Sequence, residues 1–391
     1  WLESYLQYTE KQESPRKFHF WTGLSLLSAA LKRQVWMKRV GYKLYTNTYI
    51  LIVAESAKQK KSTAIDIGID LIRAAVPDLY YISGSMTPEG LIKHMNRVKV
   101  VSNENHKTIA YDSHVLIHAD ELAELFGYDR QRASRFTILL TKIYGSQTEH
   151  THTLATEGQL LLRNLYPTLL AATDPRNLKV LPEEAVAGLI GRLIFVTETE
   201  RRAPIAWGAS TDTEVEKAQL ALYEDLKYDL NTISQIRGEI VPTQEARDLF
   251  ENWYIKLSES KVEDPRIDAF QARCHDTALK IAMLLSFAHS NELVLEAADV
   301  VRGIEHIEKQ IPEFGKVANW AVSSVYAQNR ARFIDTLTRQ GGVGMRRQML
   351  KILALPLEDI VILETSLEQE QTIKTKMAGK NVVYKLVKEG E

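Results

Sequence analysis

The chain is nearly devoid of cysteine: one in 391 residues, Cys274. That excludes a disulfide framework and a cysteine-based zinc site, and it fits a reducing cytoplasm. No apolar run approaches the length of a membrane span, and no signal peptide is legible. An excess of charge of one sign is missing too, with 49 basic residues against 50 acidic ones. Global basicity therefore gives no argument for a nucleic-acid partner, and any such surface must come from local clustering. There is no internal repeat and no low-complexity linker. The chain opens at Trp1 without a methionine, as expected of a piece of a longer protein.

What is present is the composition of a packed protein, 45% apolar, in a chain long enough for two or three domains. Residues 1–40 read as helical, with apolar positions at helical spacing over Phe20–Leu31. Short β-rich runs follow at Tyr49–Val53, Tyr80–Ser83, Val115–Ala119, Thr168–Ala172 and Leu193–Thr197, with helical stretches between them. Near-continuous apolar strands alternating with helices predict a parallel sheet covered on both faces. Beyond residue 210 the strands stop, and 213–327 reads as a helical bundle. The last segment has three short helices, at Ala331–Arg339, Met345–Leu353 and Pro356–Gln369. Two strands follow at Gln371–Lys376 and Asn381–Val387, the plan of a winged helix. The expected division is an N-terminal helical segment (1–40), an α/β core (41–212), a helical lid (213–327) and a winged-helix domain (328–391).

The run Tyr49–Val53 leads into Ala54-Glu55-Ser56-Ala57-Lys58-Gln59-Lys60-Lys61-Ser62-Thr63 and then a helix. Strand, loop, Lys-Ser, helix is the context of a phosphate-binding loop, where a helix N-terminus offers free N–H groups to an anion. Ser56, Lys60, Lys61, Ser62 and Thr63 are the expected nucleotide contacts. Lys61 would reach the β/γ-phosphates and Ser62 would ligate Mg²⁺. Glu55 and Lys60 stand where the full pattern has glycine. The same letters also read as a lysine-rich solvated loop.

His114–Glu121 is an apolar strand ending in two acids. Asp120 is the expected second Mg²⁺ ligand, and Glu121 the general base for water; acids opening a helix are the plainer alternative. Thr173, at the tip of a third strand, is expected to contact the γ-phosphate or the water, or else to begin an Asp-Pro turn. Arg192, between Gly191 and an apolar strand, sits where an arginine finger would reach a neighbouring subunit's ATP, or it pairs locally.

Between Glu121 and Thr173, Arg130, Arg132, Arg135 and Lys142 recur at roughly helical spacing, followed by an expected β-hairpin from Glu149 to near Asn164. Arg135, Lys142, His150 and His152 are the expected DNA contacts there. A solvated strand face is the alternative for the histidines. In the last domain Arg346, Arg347, Lys374, Lys376 and Lys380 are the expected contacts, or its lysines protect a sheet edge.

Taken together, Ser14-Pro15-Arg16-Lys17-Phe18-His19-Phe20-Trp21, Glu55-Ser56…Lys60-Lys61-Ser62-Thr63, Ser85-Met86-Thr87-Pro88-Glu89-Gly90-Leu91, Asp120-Glu121, Thr173-Asp174-Pro175, Gly191-Arg192 and Ala272-Arg273…Leu279-Lys280-Ile281-Ala282 resemble the phage-, prophage- and plasmid-encoded primase–helicase ATPases. Those are P-loop NTPases of AAA+ type, similar to the MCM-like replicative helicases, and the resemblance spans the whole chain. It implies an α/β P-loop fold with a parallel sheet sandwiched by helices, a helical lid and a C-terminal winged helix. It further implies ATP and Mg²⁺ as cofactors, a hexameric ring, single- or double-stranded DNA and a primase as partners, and Arg273 as a second sensor arginine. At Ala54 the family more often has glycine. Two other readings remain: a non-hydrolysing DNA-binding initiator or scaffold, and a P-loop transferase acting on a small molecule.

Overall fold

The computed structural model describes the chain except residues 56–57, 97–99, 102–107, 111–112, 128–129, 155–157, 181–187, 199, 201, 203, 206–212, 261–264, 323–324, 379–380 and 388–391. It divides into two compact units, Trp1–Ala321 and Val322–Glu391.

At the centre of the first unit lies a five-stranded sheet. Its strands are β1 (Tyr49–Val53), β2 (Tyr81–Ser83), β3 (His114–Ala119), β4 (Tyr166–Thr173) and β5 (Leu193–Thr197), in spatial order β5-β1-β4-β3-β2. Every pairing is parallel. β1, β3 and β4 are buried along their whole length. That explains why their sequences are continuous apolar runs rather than alternating ones.

Helix α1 (Arg16–Leu31) is buried on nearly all sides. It packs on α2 (Lys61–Ala75), and Tyr166 at the foot of β4 donates to its Ser28 carbonyl at 2.7 Å. The two helices approach closely at Gly68 of α2, where a Cβ would lie 2.5 Å from Thr22 Cγ2; only glycine allows that spacing.

Helicity was expected to run to residue 40, but the α-helix ends at Leu31, its C-cap Lys32 takes a positive φ of 50°, and only a 3₁₀ turn over Lys32–Gln34 follows. Val35–Arg39 instead forms a strand paired with Tyr42–Tyr45 across the turn at Gly41. β-Branched and aromatic residues at Val35 and Trp36 suit this pleated ribbon.

The helices between residues 213 and 321 belong to the same compact unit as the sheet. Among them are Thr213–Ile233, Gln244–Glu259 and α3 (Pro265–Phe287). Short strand pairs also occur here, including Val241–Pro242 with Val294–Leu295, so this region is not purely helical as expected.

The second unit has its own core, built around Phe333, Leu337, Met349, Leu363 and Tyr384. Helices Val325–Arg339, Arg346–Leu353 and Leu357–Gln369 pack with a sheet of three strands rather than two. Val343–Met345 adds an edge to the hairpin Ile373–Ala378/Asn381–Leu386.

Candidate functional site

Because all five strands are parallel, their C-terminal ends share one edge of the sheet, where α/β proteins gather ligand-binding residues. β1 delivers the 54–60 loop, β3 delivers Asp120 and Glu121, and β4, between them, delivers Thr173 and Asp174. The β3–β4 register pairs Ala119 with Ala171, which carries Glu121 level with Thr173 two residues on.

Glu121 is held from β4. Thr173 Oγ1 donates to its Oε1 at 2.5 Å, and the Asp174 amide donates to its Oε2 at 3.2 Å. Both oxygens are therefore fixed by the neighbouring strand. Asp174 is itself buried and takes a two-pronged ion pair from Arg176, with Nε and one Nη each 2.8 Å from a carboxylate oxygen. Asp174 stands in the sequence only as part of the Thr173-Asp174-Pro175 motif, with no role of its own, and Arg176 carries no sequence signal.

At the other side of this edge Lys60 caps α2 in a left-handed conformation, φ 50° and ψ 41°. This is the position where glycine was missed in the sequence. The backbone has the turn a glycine would supply, and the lysine side chain adopts it against its steric preference. Lys61 opens the helix; its ammonium is buried and donates to the Ala54 carbonyl at 3.0 Å. Burial pulls its pKa down, while the carboxylates of Glu121 and Asp174 push it back up. Lys61 therefore feels both acids at the strand tips. Lys60 makes no side-chain capping bond to α2; Ser62 is half-buried and Thr63 exposed. Ser56 lies outside the described residues.

Arg192 and Arg273 come together elsewhere. With Lys142, Tyr144 and Lys280 they line a cavity of about 550 Å³ that includes neither Lys61 nor Glu121. Arg192 donates to the Gly188 carbonyl at 2.7 Å, and its pKa falls through burial and through the Arg273 charge. Lys280 is fully buried at the back of this cavity, bonded to the Asn47 carbonyl and side-chain oxygen at 3.0 and 2.9 Å, with its ammonium 4.0 Å from the Tyr144 ring centre. Nothing local in the sequence marks this placement of Lys280, which comes from long-range packing against the residues that enter β1.

The hairpin expected before Thr173 is present, pairing Glu149–Leu154 with Gly158–Arg163. His150 and His152 neighbour each other on it, ring centres 6.3 Å apart, and burial, His152 and Lys142 lower the His150 pKa. Lys142 thus joins the two histidines, while exposed Arg135 lies two turns earlier on the helix Arg130–Ile143.

In the second unit Arg346 is committed to an ion pair with buried Glu364, which Tyr384 also reaches. Arg347, Lys374 and Lys376 are exposed; Lys380 lies outside the described residues.

A scan against protein-family models and a search of curated proteins return no match to this chain.

Proposed function

We propose that this chain is an ATP-driven DNA helicase or translocase of the AAA+ P-loop type that works as a ring-shaped, hexameric oligomer. The observation that carries this reading is the grip of Thr173 and Asp174 on Glu121, at the sheet edge shared with Lys61. The strand order β5-β1-β4-β3-β2 supports it, because it sets β4 between the lysine loop and the acidic strand.

The donor set fits a magnesium nucleotide. A helix N-terminus that its N-cap Lys60 side chain leaves open, a lysine at its first position and a hydroxyl at its second suit phosphate oxygens and Mg²⁺. Lys60, Lys61, Ser62 and Thr63 would hold the phosphates; Ser62 and Asp120 would hold the ion. Bound MgATP supplies the phosphoryl group whose transfer to water drives the motor. Glu121 takes the proton of that water at a carboxylate oxygen that Thr173 keeps aimed. Thr173 acts through this bond as a positioning residue. Arg192 and Arg273, sharing a cavity away from Lys61, suit a nucleotide presented by a neighbouring copy. Lys142 with His150 and His152 forms a DNA-facing patch on the hairpin side, and Arg347, Lys374 and Lys376 form another on the second unit. Arg346 is occupied by Glu364.

Glu55 and Lys60 favour a second reading, a DNA-binding initiator or scaffold that does not hydrolyse ATP. The Glu121→Gln variant separates the two. It is expected to bind ATP as the wild type does and to lose at least about 100-fold in turnover. Hydrolysis undiminished by this substitution contradicts the motor reading.

A further inference from the structure

A second set of donors meets beside Glu121. His118 and Asp120 lie two residues apart on and just past β3, hence on one side of the strand. Asp66 stands on α2, one helical turn beyond Ser62. One ligand atom from each of Asp66, His118 and Asp120 lies within 4.8 Å of the other two.

The histidine gives this cluster its direction. Its side chain is only 5% exposed. Nδ1 is tied from behind to the Tyr81 hydroxyl at 2.8 Å. Nε2 has no hydrogen-bond partner among the described residues and faces Asp120 Oδ1 at 3.3 Å, out of hydrogen-bonding geometry. A buried nitrogen that lies 3.3 Å from an exposed carboxylate without hydrogen-bond geometry to it is costly unless a cation or a proton sits between them.

We propose that Asp66, His118 and Asp120 bind a divalent transition-metal ion of the zinc class. An imidazole among the donors argues for zinc over magnesium or calcium, which take oxygen ligands. Three protein donors with the remaining positions left to water is a common zinc arrangement. Donors around one zinc lie about 3.4 Å apart in a tetrahedral shell, so the two exposed aspartates need only swing inward while His118 stays fixed. Tyr81 completes the set as the outer partner that orients a ligating histidine: with Nδ1–H donating to the Tyr81 oxygen, Nε2 presents its lone pair. Metal binding does not depend on the ATPase reading. Only one consequence rests on that reading: Asp120 is shared, so zinc competes with the Mg²⁺ position.

The test uses the full chain free of nucleotide and Mg²⁺, titrated with Co²⁺ and read by its visible absorption. One Co²⁺ per chain, displaced by Zn²⁺, is expected. Asp66→Asn and His118→Ala should each weaken binding at least about 100-fold, and Tyr81→Phe about 10-fold. Asp66 is exposed, so Asp66→Asn decides the matter even if His118→Ala fails to fold. Absence of a stoichiometric cobalt spectrum, or one unchanged in Asp66→Asn, overturns the proposal and leaves an ordinary His–Asp contact. Because no nucleotide is present, such a failure is distinct from a failure to hydrolyse ATP.

Discussion

The hydroxyl of Thr173 reaches Glu121 across the C-terminal edge of the sheet, a 2.5 Å hydrogen bond between the tip of β4 and the residue just past β3. The bond exists because β4 is inserted between β1 and β3, so a residue 52 positions away in sequence becomes the nearest neighbour of the acid.

Removing that hydroxyl tests its role. Thr173→Val keeps the buried volume but frees one carboxylate oxygen of Glu121. Turnover is expected to fall about 10- to 100-fold, the usual loss when a catalytic group is misplaced by a small distance. KM for ATP should change little, and Thr173→Ser should restore most of the rate. Steady-state kinetics on the three proteins check this; a Thr173→Val enzyme with normal kcat contradicts it.

Lys60 holds a left-handed conformation that costs a non-glycine residue about 1 kcal/mol. Its ion pair with Glu13, at 3.8 Å and with Lys60 half-exposed, offsets little of this. Lys60→Gly is therefore expected to raise the melting temperature. Thermal denaturation is the measurement, and a lower melting temperature would show that the lysine side chain supports the loop in some other way.

Burial pushes the Lys280 ammonium down to about 7, with Asp276 acting against the shift, whereas the unfolded lysine titrates near 10.4. The folded value is the lower one, so between pH 7 and 10 the unfolded chain binds more protons and stability rises with pH. The cost of burying the charge is complete below pH 7 and relieved above it. Compared with Lys280→Met, the wild type should gain on the order of 1 kcal/mol per pH unit above pH 7. Melting curves of both proteins at pH 6 and pH 9 measure this double difference; a constant gap between them would mean that Lys280 keeps its charge throughout.

Much of this was legible from local pattern. The apolar runs gave all five sheet strands, and the order of Lys61, Glu121 and Thr173 along the chain marked the edge that collects them. What depended on distant partners was not legible. Asp66 and His118 are 52 positions apart and meet only through the packing of α2 on the sheet. Arg346 looked available for DNA until Glu364, 18 residues on, claimed it. Lys32 ends α1 with a positive φ and no glycine to signal it, so the strand at Val35–Arg39 was hidden inside an expected helix. The third strand of the C-terminal sheet, three residues with a central Gly344, is too short to carry a period.

The most direct measurement is ATP hydrolysis with and without single-stranded DNA, for the wild type and for Lys61→Ala. A DNA-driven motor predicts hydrolysis that rises several-fold on adding DNA and is abolished by Lys61→Ala. No hydrolysis under either condition, or a rate indifferent to both DNA and Lys61, contradicts it.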